Sequence, residues 1–180
     1  VSNPYTGTVA SALRRCQLIL QSPEPEAEQG NPLSPEALYE SALCQGALLQ
    51  LWRAYRAFLA EQGHQLQLGF GPGGEPETAH SLAQLVTARG KFSAEINELV
   101  SLAENPDSWF QGLEAAWRAL WCPAGGAGQS AADPSGVQSL IPVRQLDTRA
   151  PEALNRASLG KWFRALNELI QRQRAHGQEW

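Results

Sequence analysis

Apolar residues in this chain recur with a period near 3.6 in five separate stretches, and nowhere do they alternate convincingly with a period of 2. That regularity predicts an all-α fold, because a stripe at i, i+3, i+4 and i+7 is buried from one face of a helix. In the first stretch Val9, Leu13, Cys16 and Leu20 follow at helical spacing. The second opens on Ser34 as N-cap, with Pro35 at the first helical position and Glu36 in the first turn. Its stripe reads Cys44, Leu48, Leu51, Trp52, Tyr55, Phe58 and Leu59. Leu38, Leu43 and Leu49 widen it, which predicts contact with more than one neighbour, and Gly63 is read as its end. A third helix is predicted over 76–103, with Gly90 in mid-pattern as a point for a kink.

"NPDS" at 105–108 stops the third helix, because Pro106 disfavours helical geometry at Asn105, and Asp107 or Ser108 caps the fourth. In that fourth helix Trp109, Leu113, Trp117, Leu120 and Trp121 share one face. Three tryptophans left in water would exceed the apolar patch most monomers expose. Burying each ring contributes about 2–3 kcal/mol, so the face is expected to point inward. The last helix is predicted from about residue 155 to 174, with Leu159, Trp162, Phe163, Leu166, Leu169 and Ile170 facing the core.

The chain is read as one domain over 1–180, with a polar Pro-rich loop at 22–33 and a low-complexity connector at 122–149. The expected architecture is an antiparallel bundle of four to five helices with a long connection before the last helix. Within the connection, the apolar residues of "VQSLIPVRQL" are read as an extended strap across the bundle. A formal net charge of −4 argues against a broad electropositive surface for nucleic acid. No apolar run approaches the roughly 18 residues of a membrane span. The N-terminal "VSNPYTGTV" has neither the basic nor the apolar region of a secretory signal, and three cysteines cannot all pair with one another. A reducing, cytoplasmic location is expected.

Two Glu-x-x-His spacings, Glu61 to His64 and Glu77 to His80, are the sharpest metal candidates, because carboxylate-bridged di-metal bundles place such pairs on facing helices. Both lie at predicted helix ends rather than mid-helix, so solvated termini are the preferred reading. "GFGPGG" lacks the Lys-Ser/Thr of a nucleotide-phosphate loop and is read as a helix connection. Cys44 is buried by pattern, and Cys122 sits at a helix C-terminus, where the dipole disfavours a thiolate. No catalytic constellation emerges, and no cofactor is expected. Lys161, Arg164, Arg172 and Arg174 make the last helix locally basic, read as a solvated face complementing Glu24, Glu26 and Glu28.

The order of features from "LAENPDSWF" through "WRALWCP", "SLIP" and "LGKWFRALNELIQRQR" to the terminal "EW" resembles a family of small, uncharacterised all-helical proteins from gammaproteobacteria, a domain of unknown function. The resemblance implies an all-helical cytosolic protein with no catalytic residue to carry over. It directs attention to Asn105, Pro106, Ser108, Trp109, Trp162, Glu179 and Trp180 as helix junction, core and docked tail. The function expected is non-enzymatic contact with a protein partner, with a homodimer among the readings and no membrane or nucleic-acid partner. The alternatives are a metal-dependent bundle enzyme using Glu61, His64, Glu77 and His80, and weak nucleic-acid binding by the last helix.

Overall fold

Short polar side chains set where the helices after the first begin. In the computed structural model, which describes residues 3–25, 33–71, 73–122 and 154–177, there are six helices and no strand among the described residues. They are α1 (Thr6–Leu20), α2 (Pro35–Gln65), α3 (Ala79–Ala88), α4 (Ala94–Glu104), α5 (Trp109–Ala119) and α6 (Arg156–Gly177). Ser34 accepts the Ala37 N–H at 3.1 Å ahead of Pro35, as its sequence context predicts. Thr78 and Ser81 form a reciprocal capping box on α3, and Ser93 caps α4. Asn155 Oδ1 accepts the Ser158 N–H at 2.9 Å at the head of α6.

The single helix expected over 76–103 is two. Gly90 takes φ +63°, its N–H reaches Thr87 O, and the Lys91 N–H reaches Val86 O. These bonds form a Schellman closure, which ends α3 rather than bending it. α2 closes the same way beyond Gly63: Gln67 takes φ 54°, and the Leu68 N–H reaches Gly63 O at 3.0 Å. Gly63 itself lies inside α2, where a Cβ would sit 2.2 Å from Cζ of Phe70. It is a seat for that ring, not a helix terminator.

α2 is the axis of the core. Leu48, Leu51, Tyr55, Phe58 and Leu59 share one buried cluster with Val9, Leu13 and Cys16 of α1, Leu82 and Val86 of α3, and Ile96 and Leu99 of α4. Phe110 and Leu113 of α5, and Leu159, Trp162, Leu166 and Ile170 of α6, complete it. The Asn3 side chain donates to the Glu61 carbonyl, and Leu20 at the far end of α1 accepts from Arg156, so α1 runs antiparallel to α2.

α6, by contrast, runs in the same sense as α2. Arg156 at its head binds Glu40 near the start of α2, at 2.7 and 2.8 Å, and Arg174 near its tail binds Glu61 near the end of α2, at 2.8 and 2.7 Å. The expected antiparallel order therefore holds for α1 against α2 and is replaced by a parallel pairing for α2 and α6. A long connection before the last helix permits this.

The tryptophan face departs furthest from expectation. Trp109 and Trp117 are half-buried and Trp121 is 72% exposed, whereas Phe110, Leu113 and Ala116 form the buried line of α5. The helical register stops at Ala119, and the Trp121 N–H turns back to Arg118 O at 3.1 Å. Trp121 therefore stays beside Trp117 but projects into solvent where the helix has ended. Leu38 (53% exposed) and Leu49 (50%) likewise lie outside the core that their pattern suggested. The strap read over 137–146 lies outside the described residues.

Candidate functional site

Each residue proposed as a metal ligand finds a different partner. Glu61 is buried and held bidentately by Arg174. His64 is exposed, with its ring edge against Tyr5 at a centroid distance of 6.2 Å. Glu77 pairs with Arg56 at 3.2 Å, and His80 with Glu104 at 3.0 Å. Glu77 also precedes the N-cap Thr78, so Glu77 and His80 never share a helix face. Among the described residues no group of three or more His, Cys, Asp or Glu side chains is arranged to hold a metal ion.

The buried thiols are poor nucleophiles. Burial pushes Cys16 up to about 12, and burial followed by the Glu40 carboxylate pushes Cys44 up to about 11. Both stay protonated at neutral pH. Three arginines of the basic helix meet carboxylates of the same chain: Arg172 pairs with Glu98 at the surface, and Arg174 and Arg156 pair with Glu61 and Glu40. These carboxylates complement α6; Glu26 and Glu28, expected to do so, lie outside the described residues. Hydrogen bonds from Arg156 hold the Glu40 carboxyl below its ordinary range.

The family-like positions at 105–109 build a junction. Asn105 Oδ1 accepts the Asp107 N–H at 3.0 Å, the Ser108 hydroxyl donates to Leu102 O at 2.8 Å, and Ser108 accepts the Gln111 N–H at 3.4 Å. Pro106 sits exposed in that turn, and Trp109 packs edge-on against Phe110. Trp162 is wholly buried in the core. Glu179 and Trp180 lie outside the described residues.

What the sequence did not single out is a groove of about 550 Å³ on the outer side of α2. Its floor is α2 from Leu49 to Ala60, and Tyr5, Thr8, Glu75 and Trp117 form its sides. The indoles of Trp52 and Trp117 stack at 5.1 Å and 10°, and Trp121 continues from Trp117 edge-on at 5.5 Å. Arg53 and Arg56 supply positive charge at the rim, while Tyr5 donates to Glu75 at 3.3 Å. A smaller depression of about 300 Å³ adjoins it at Trp52, lined by Tyr55, Phe110, His80, Glu114 and Arg118. There Glu114 and Arg118 neutralise each other at 2.8 Å, and burial raises the Tyr55 hydroxyl above its ordinary value. A volume of this order with stacked aromatics and few charges suits binding better than bond-breaking.

The signal for this surface was present as a second stripe on α2. Leu38, Ala42, Gln45, Leu49, Arg53 and Arg56 recur at helical spacing, displaced from the buried stripe of Cys44, Leu48, Leu51, Tyr55 and Phe58.

Helices packed around one long central helix, with a groove walled by stacked indoles, define an all-helical chain built around a recess. The chain belongs to a family of unknown function (DUF6586), whose model matches residues 8–180. No curated protein and no solved structure matches it. Among the described residues no helix is long and apolar enough to cross a membrane.

Proposed function

We propose that this protein acts by binding another protein, with the α2 groove as the contact surface, and not by catalysis. The observation that carries the reading is the stacked Trp52–Trp117 pair, which walls a recess of about 550 Å³ that opens onto exposed Leu49 and Arg53. Aromatic and arginine side chains are the residues that most often anchor protein interfaces. The metal-enzyme alternative loses support because Glu61, His64, Glu77 and His80 are drawn into separate contacts. The nucleic-acid alternative loses support because Arg156, Arg172 and Arg174 face carboxylates of the same chain.

The test is site-specific photo-crosslinking in the native cell. A benzophenone side chain at position 49 should yield a discrete adduct with one partner, and the same group at position 15 on α1 should not. Identical adduct patterns from both positions, or none from position 49, would contradict the proposal.

A further inference from the structure

Resting on that binding reading, we infer that the partner presents an amphipathic acidic segment: apolar side chains on Leu49 and the Trp52–Trp117 pair, and a carboxylate on Arg53, beside the Arg56–Glu77 pair. The stripe from Leu38 to Arg56 lies along one side of α2, and Leu38, Ala42, Gln45, Leu49 and Arg53 are all exposed. From Leu38 to Leu49 it runs three turns, about 16 Å at 1.5 Å per residue, a length that suits a short helical segment. Most of its charge is already matched within the chain. Glu40 is the acidic residue of α2 in this stretch, and it is turned to Arg156. Glu75 accepts from Tyr5, and Glu77 pairs with Arg56. Arg53 has neither an ion pair nor a hydrogen bond among the described residues.

A second copy fits poorly, because the same face in a copy offers Arg53 again, while its carboxylates Glu75 and Glu77 are engaged by Tyr5 and Arg56. A polyphosphate backbone would satisfy the arginines and leave Leu38, Ala42 and Leu49 facing charge. An acidic amphipathic segment answers both halves of the stripe.

The experiment compares two fluorescein-labelled peptides on the full chain. Both carry leucines at i, i+3, i+4 and i+7; one has glutamate and the other lysine at its polar positions. By anisotropy at low salt the glutamate peptide should bind about tenfold more tightly, and raising the salt should shrink that margin. Arg53→Glu should erase the preference, and Leu49→Asp should weaken the glutamate peptide, with circular dichroism confirming both variants folded. Equal or tighter binding of the lysine peptide, or an Arg53→Glu variant that keeps the glutamate preference, overturns the inference. A concentration-dependent dimer abolished by Leu49→Asp in sedimentation overturns it too, assigning the face to a second copy. Should the position-49 adduct persist while the glutamate peptide shows no advantage, the acidic partner falls and the binding reading stands. Loss of both removes the two together.

Discussion

Gly63 illustrates how one position can carry two opposite signs. Alanine inside a helix ordinarily gains about 0.5–1 kcal/mol over glycine. Here the added Cβ would fall 2.2 and 2.5 Å from ring atoms of Phe70 and 3.2 Å from Leu82 Cδ1. Gly63→Ala is therefore expected to lose about 1–3 kcal/mol in urea denaturation, as overpacking does. In a Phe70→Ala background the loss should shrink or reverse, and additivity of the two changes within about 0.5 kcal/mol would contradict the contact. Glu40 makes a second residue-scale prediction. Its folded-state carboxyl is depressed by Arg156, so its contribution is complete above the ordinary glutamate value and is lost as pH falls toward the lowered one. Glu40→Gln should flatten the acid limb of the stability–pH profile. An unchanged slope below about pH 4.5 would show that the pair contributes nothing there.

At the scale of elements, α6 is held to α2 at both ends by bidentate arginine–glutamate pairs, and the two differ in burial. Glu61 has 2% of its side chain exposed, against 29% for Glu40. Arg174→Ala would strand a buried carboxylate and is expected to cost about 3–5 kcal/mol in chemical denaturation. Adding Glu61→Gln should return part of it. A loss below about 1 kcal/mol for Arg174→Ala alone would mean that Glu61 reaches water or another donor. These pairs also show where the sequence was legible. Helix existence and most of the core stripe followed from periodicity, which reports burial along one element. Partnership between elements did not: Glu61 and Arg174 are far apart in the chain, and neither carries a local mark of the other. The division of 76–103 turned on a single positive-φ glycine. Trp121 was misassigned because periodicity holds only while the helix does, and Leu38 and Leu49 because a wide stripe does not say which edge stays uncovered.

For the whole molecule, the central claim is that α2 serves two faces: a buried one that organises the other helices and an outer one that receives a partner. The groove went unread in the sequence because its walls come from α1, α5 and the connection before α3, which only folding assembles. Its residues are ordinary by type and informative only by position. Hydroxyl-radical footprinting, read residue by residue in purified protein and in intact cells, tests the claim most directly. Leu49, Trp117 and Trp121 should be labelled in the purified chain and protected in cells, while Phe92, 78% exposed on the turn between α3 and α4, should be labelled alike in both. Equal labelling of Leu49, Trp117 and Trp121 in the two settings would contradict the account.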